Sequence, residues 1–383
     1  MSPEQRAALM QDLFSRENGI GLSLTRLTIG ASDFSQTHYT YDDMPPGQSD
    51  PTLAHFSIEP ARTDVIPSVR EALAINPGLQ VMASSWSAPA WMKSNDSLIQ
   101  GSLAPASYGH FANYLARYVK AMGEEGVPIF AVTPQNEPHF EPDSYPGMRI
   151  EAPARADFIG DHLGPTFERE GLDTLILDYD HNWDAPESPL TVLRDPEANR
   201  YTDGVAWHCY GGEVSAQTPV HDAFPDKDAF FTECSGGAWA PNWSESFVWN
   251  VDNLIIGTTR NWARGVTLWN LILDENSGPH LGGCGDCRGV VTVNSQTGEV
   301  TRNLEYYALG HASRFVRPGA VRIGATAPEG MNAVAFRNGD DGSIVLIALN
   351  KGAAPAPIQV RFGGRTLAYT LPAMAAATFV WPE

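Results

Sequence analysis

Between about residues 20 and 310, seven short β-type runs alternate with helical stretches. Few arrangements other than a parallel sheet wrapped by helices satisfy that rhythm. The runs are Leu22 to Ile29, Leu79 to Ser84, Phe130 to Gln135, Thr174 to Asp180, Gly204 to Tyr210, Ala229 to Glu233 and Gly265 to Leu271. Helices are expected over Val65 to Ile75, Tyr108 to Glu124, Ala154 to Glu170 and Val248 to Trp262. After Arg317-Pro318-Gly319 the texture changes to β runs punctuated by turns, with no helix. These cover Met331 to Arg337, Ser343 to Asn350, Ile358 to Phe362, Thr366 to Leu371 and Ala377 to Trp381. The reading is an α/β chain with a (β/α)8 TIM barrel over residues 1–316 and a small C-terminal antiparallel β-sandwich over 317–383. Seven strand candidates are one short of a closed barrel.

Two of the runs end on a glutamate. Ile129 to Thr133 stops at Pro134 ahead of Asn136-Glu137-Pro138, and Ala229 to Thr232 stops at Glu233 ahead of Ser235-Gly236-Gly237. In a barrel, groups at the carboxyl ends of different strands meet across one mouth. A pair of carboxylates held in that way suits glycosidic bond cleavage, where one acid protonates the leaving oxygen and one anion attacks the anomeric carbon or activates water. A glutamate at a strand end is more often a cap neighbour or a surface ion pair, so the local context has to carry the assignment.

Acidic residues outnumber basic ones by 45 to 25, for a formal charge of −20. That field repels nucleic acid and anionic headgroups and favours a neutral partner. The 10 Trp, 12 Tyr and 16 Phe are ample for the flat apolar surfaces on which sugars stack. No run of 18 apolar residues exists, which argues against stable membrane insertion, and MSPEQRAALMQDLF reads as an amphipathic helix rather than a signal. Localisation stays open, as does the oligomeric state. Cys284 and Cys287 form a C-x-x-C in a glycine-rich loop without a second pair at zinc spacing, so a local disulfide or two free thiols is expected rather than a metal. Cys209 and Cys234, turned away from the mouth by strand alternation, read as small core residues. Neither metal nor cofactor is expected.

The stretches LTRLTIGASDFS, ASSWSAPAWMK, AVTPQNEP, FIGDHLGP, VAWHCYGG, FFTECSGG, LWNLILD and GHASRFVRPGA, in that order, resemble glycoside hydrolase family 30 on its glucosylceramidase-like side, from about residue 10 to the C-terminus. The resemblance implies a retaining β-glycosidase that works by double displacement, with Glu137 as acid/base and Glu233 as nucleophile. Asn136 would hydrogen-bond the sugar 2-hydroxyl, Asp33 would accept from sugar hydroxyls, and Trp86 and Trp269 would flank the ring. His208 and Tyr210 would hold the carboxylate of Glu233, while Arg26 would keep it ionised. The bland alternatives are core tryptophans, a satisfied core histidine and a structural ion pair.

Family members place a first barrel strand ahead of the helix with which this chain begins, so either that strand is missing or the barrel closes with seven. The leading expectation is a β-glucosidase or glucosylceramidase-like enzyme acting on a β-glucoside, oligosaccharide or glycolipid. An endo-enzyme on β-1,6-glucan or a related polysaccharide is the second, and a truncated, non-catalytic carbohydrate-binding protein the third. The aglycone subsites fall on loops 36–55, 139–152 and 275–292, whose shape composition does not disclose.

Overall fold

The computed structural model describes residues 1–382. Helix α1 (Pro3–Phe14) opens the chain; the Ser2 hydroxyl accepts from the Gln5 backbone N–H, and the Gln5 side chain accepts from the Ser2 N–H. Such a reciprocal cap satisfies two of the donors a helix start leaves free. There follow β1 (Leu24–Ile29), β2 (Gln80–Ser85), β3 (Ile129–Thr133), β4 (Leu175–Asn182), β5 (Gly204–His208), β6 (Asp228–Glu233), the two-residue β7 (Gly236–Gly237) and β8 (Ala263–Val266). Strands β1 to β6 and β8 form one parallel sheet in chain order, and helices such as Val65–Ile75 and Tyr108–Glu124 cross between them.

This is the expected barrel architecture, drawn with seven strands. Among the described residues no ladder joins β1 to β8, but the Leu24 side chain lies against the backbone of Gly265, so the two edges approach each other. Met82, Ala131, Leu177, Ala206 and Phe230, one from each of five neighbouring strands, pack together in the lumen. A barrel interior plugged in this way leaves only its mouth for chemistry. A larger apolar layer outside the strands buries Phe111, Tyr114, Tyr118 and Phe158 of the surrounding helices.

Short strands decorate the later loops. β9 (Ile272–Asp274) pairs in parallel with β11 (Val291–Val293), which pairs antiparallel with β12 (Val300–Arg302); β10 (Cys287–Arg288) pairs antiparallel with β7. The C-terminal region has one sheet of β13 (Val321–Ile323), β14 (Met331–Arg337), β15 (Ile344–Asn350) and β18 (Ala375–Trp381), and a hairpin of β16 (Ala356–Phe362) and β17 (Arg365–Leu371). This sandwich does not hang free. Val334, Phe336, Val345 and Ile347 share one core with Leu9, Leu13 and Phe14 of α1 and with Leu304 and Leu309 of helix Leu304–Ser313. Lys351, after β15, meets Asp252 of the barrel at 3.1 Å across the same junction. No helix among the described residues is long and apolar enough to cross a membrane.

Candidate active site

The ends of β1, β3, β4, β5 and β6 converge on one buried polar cluster, and its hub was not singled out in the sequence. Asp180, on β4, is fully buried. Its Oδ2 accepts from Arg26 at 2.7 Å, Ser84 at 2.6 Å and Thr133 at 2.5 Å. Its Oδ1 accepts from Thr232 at 2.7 Å and faces His208 Nε2 at 2.9 Å. Burial opposes ionisation, but the Arg26 and His208 charges and these donors hold the carboxyl well below its ordinary value.

Arg26 reaches out from β1 as a three-way clamp. One guanidinium nitrogen donates to Glu233 Oε2 at 2.7 Å; another donates to Asp180 and, at 2.6 Å, to Asn136 Oδ1. Burial would strip its charge, yet the two carboxylates raise its pKa further. The guanidinium also lies 4.9 Å over the Trp86 ring and 5.8 Å from that of Trp269. Because Arg26 takes the Asn136 oxygen, the amide nitrogen is the group Asn136 retains for a ligand.

Glu137 sits in a turn bracketed by Pro134 and Pro138, with φ of +46°. A non-glycine residue in that region stores strain that its surroundings must hold. They do so through its N–H, bonded to the Asp180 carbonyl at 3.0 Å, and through Gln135, whose amide donates to the Trp86 carbonyl at 2.8 Å. Glu137 Oε1 faces His208 Nδ1 at 3.2 Å. Glu233 Oε1 accepts from the Tyr210 hydroxyl at 3.1 Å. Oxygens of Glu137 and Glu233 and a ring nitrogen of His208 all lie within 4.8 Å of one another. These three groups could in principle grip a cation. However, Arg26 already places a fixed positive charge on Glu233, and His208 spends its other nitrogen on Asp180, so the cluster is better suited to moving a proton.

Burial lowers the basicity of His208, but the Glu233 and Asp180 charges outweigh it and raise the imidazole to about 9. Burial pushes Glu233 above the usual carboxylate range against the pull of His208 and Arg26. For Glu137 burial pushes the same way, but the contact with His208 wins and holds its carboxyl down. Asp33, in the loop after β1, is pushed up to about 7 by burial and by the nearby Glu233 and Glu137 charges.

Three expectations need correction. His208 is 3.2 Å from Glu137 and 3.9 Å from Glu233, so it attends mainly to the first glutamate, and Arg26 and Tyr210 are the close donors to the second. The Trp86 and Trp269 rings do not stand on opposite sides of a sugar. They stack on each other at 5.0 Å and 19°, too close to admit a ring between them. Trp86 is buried behind, and the half-exposed Trp269 is the face left to a ligand. Cys209 and Cys234 are not free thiols but a disulfide. The reason lies in the register: His208 and Glu233 are partners on β5 and β6, so the next residue on each strand falls side by side. Both cysteines do pack in the apolar layer outside the barrel with Trp183 and Phe231. Cys284 and Cys287 form the local disulfide that was one of the two expectations for them.

Two further residues were missed. His181, on β4, brings Nε2 to 3.9 Å from Glu137, and burial lowers it to about 4, so it stays neutral. Tyr145, on loop 139–152, has its hydroxyl pushed up by burial and then by the charges of Asp33, Glu137 and Glu233, so it lies within electrostatic reach of the site carboxylates.

Against known proteins, residues 1–316 match the glycosyl hydrolase family 30 TIM-barrel domain and residues 319–379 the family 30 beta sandwich domain. The chain belongs to glycosyl hydrolase family 30. This family 30 chain is therefore a glycosidase. It is 37% identical over 366 residues to an endo-1,6-beta-D-glucanase of Neurospora crassa, covering 91% of this chain and 74% of that protein. A solved endo-beta1,6-glucanase superposes with a TM-score of 0.94 at 34% identity, covering 100% of this chain and 87% of the other. A Caenorhabditis elegans protein named provisionally as a glucosylceramidase is 29% identical over 384 residues, covering 94% of this chain and 73% of its own length.

Proposed function

We propose that this glycosidase hydrolyses β-1,6-linked glucan with retention of anomeric configuration, using Glu233 as nucleophile and Glu137 as acid/base. The observation that carries the mechanism is the 4.8 Å limit on the separation of their nearest oxygens. It favours carboxyl groups about 5 to 5.5 Å apart, as covalent capture needs, over the roughly 6.5 to 9.5 Å that leaves room for an attacking water.

The division of labour follows from the neighbours. Burial pushes the Glu233 carboxyl up, but the guanidinium of Arg26, which never loses its proton, and the hydroxyl donor of Tyr210 both favour its anion. Glu137 and His208 share one proton along their 3.2 Å contact. In the open site it rests on the imidazole, between two carboxylates. Once a sugar expels water from the mouth, separated charges become costly, and the neutral arrangement with the proton on Glu137 gains ground. Glu137 then protonates the leaving oxygen as Glu233 bonds the anomeric carbon. In the second half Glu137 takes a proton from water, and the hydroxide so formed releases the sugar from Glu233. Asn136, Asp33 and Trp269 are placed to hold the glycone.

Similarity to endo-1,6-glucanases at 34–37% identity supports β-1,6-glucan over the glucosylceramidase-like expectation, which the nematode proteins support at 28–30%. A non-catalytic binder would not need a buried arginine clamping the nucleophile. The test is hydrolysis of β-1,6-glucan, glucosylceramide and a panel of nitrophenyl β-glycosides, with the anomer of the first product read by proton NMR. Preference for glucosylceramide would refute the substrate, an inverted product the mechanism, and sugar binding without turnover the assignment as an active enzyme.

A further inference from the structure

The segment from Glu275 to Asp286 contains five glycines or prolines in the stretch Gly278-Pro279-His280-Leu281-Gly282-Gly283 and Gly285, and it forms no helix or strand. Its largest apolar side chain, Leu281, is exposed, so the segment adds little to any core. It is nevertheless held at several points. The Leu281 N–H donates to the Asp33 carbonyl at 2.8 Å, and the Leu281 carbonyl meets His38 Nε2 at 3.1 Å. The His280 ring packs edge-on to Phe34, which packs edge-on to Trp269. Gly282 and Gly283 have φ of +83° and +62°. A Cβ on Gly283 would lie 2.4 Å from Asp33 Cβ and 2.5 Å from its Oδ2, and a Cβ on Gly282 would lie 2.5 Å from the Ser144 carbonyl oxygen. Both glycines are thus required by conformation and by close approach.

The far end is tied to the other side of the mouth. The Cys284–Cys287 disulfide closes the turn, and Cys287 and Arg288 pair with Gly237 and Gly236, just beyond Glu233. Arg288 is fixed in turn by Glu305 at 2.7 Å. The segment therefore spans from the loop of Asp33 to the loop after Glu233, and its contact with Ser144 joins it to loop 139–152, which Lys93 holds by donating to the Gly147 carbonyl at 2.9 Å.

We propose that residues 277–288 are a disulfide-cinched cap that fixes the Asp33 carboxylate for the sugar, with Gly283, Cys284 and Cys287 as positioning residues of the glycosidase. The inference rests on the reading of Asp33 as a glycone ligand. A chain this rich in glycine samples many conformations, and a covalent link over so short a span removes many of them. The cap buries little, so the benefit falls on order at the mouth rather than on stability of the barrel.

The experiment compares wild type with the double variant Cys284→Ser, Cys287→Ser and, separately, with Gly283→Ala. Each is made in the native background and with Asp33→Asn. Rates are read on 2,4-dinitrophenyl β-glucoside, and folding by circular dichroism and thermal unfolding. The expected result is a fall in kcat/KM of about tenfold carried mainly by KM, comparable to losing one good hydrogen bond to a charged acceptor. The thermal midpoint should stay within about 2 °C. In the Asp33→Asn background the penalty of the double cysteine variant should largely vanish, since the cap would have no carboxylate left to place. An unchanged KM, or a penalty that persists in full without the Asp33 carboxylate, would overturn the cap alone. A wild-type protein inert on every β-glycoside would overturn the reading of the site and the cap with it.

Discussion

Replacing Asp180 by asparagine tests the centre of the site most directly. The side chain keeps its shape, but one oxygen becomes an NH2 that must face Arg26, Ser84 and Thr133 on one side, or His208 and Thr232 on the other. Turned towards Arg26 the NH2 meets a group that can only donate, turned towards His208 it is accepted only by a neutral imidazole, and in both cases Arg26 loses one of its two anionic partners. Breaking a buried ion pair from one side costs about 3 to 5 kcal/mol. Unfolding entropy of about 2.1 cal/mol/K per residue over 383 residues makes a loss of about 4 kcal/mol a drop of about 5 °C in Tm. Activity should fall for a separate reason. Without the Asp180 charge two of the contributions that raise His208 are lost, so the imidazole gives up its proton at a lower pH and Glu137 has less to draw on. Loss of acid assistance is worth roughly 10² to 10⁴ in rate. The deficit should be larger on alkyl β-glucosides than on dinitrophenyl β-glucoside, whose leaving group departs unaided. Thermal unfolding and kcat on the two substrates are the assays. A variant with Tm within about 1 °C of wild type, and equal deficits on both leaving groups, would refute the argument.

Other outcomes follow from the same geometry. Glu233→Gln should abolish turnover, while Glu137→Ala should retain activity on dinitrophenyl β-glucoside and be accelerated by azide with formation of a β-glucosyl azide; no azide adduct would count against the assignment. His208 rises from 6.5 to about 9 on folding, so its contribution, on the order of 3 kcal/mol, should be complete below about pH 6.5 and lost as pH climbs through 9. Urea midpoints measured from pH 6 to 10 check this, and kcat/KM should fall along the same alkaline limb. Removing the Cys209–Cys234 bond by Cys209→Ser with Cys234→Ser should cost up to about 3 kcal/mol, given a sequence separation of 25 residues. Because both cysteines adjoin site residues, kcat should drop as well, and a stability loss without a rate change would show the link to be structural only.

Much of this was legible in the sequence because the signals are local. Six of the apolar runs coincide with barrel strands to within two residues, since strands buried on both faces must be apolar and must end where polar turns begin, while the seventh, Gly265 to Leu271, overshoots β8 by five residues. Glu137 and Glu233 stood out for the same reason. What escaped depends on neighbours in space. Asp178 and Asp180 alternate in one run, and nothing in the run says that Asp178 meets Arg155 outside the barrel while Asp180 gathers partners from five other strands inside it. The pairing of Cys209 with Cys234 needed the order and register of β5 and β6. The stacking of Trp86 on Trp269 and the arrival of Tyr145 both depend on loop paths, which composition does not encode.

Among the described residues the seven-strand sheet has no ladder between β1 and β8, and Arg26 stands on one of those margins. Its bonds run across the lumen to Asn136, Asp180 and Glu233, beyond the ends or within the lengths of β3, β4 and β6. They act like the spokes of a wheel whose rim has a gap, resisting the spreading that a complete hoop would resist by itself. The machinery that prepares the nucleophile thus also keeps the wheel round, so weakening it would loosen the frame and the reaction centre together.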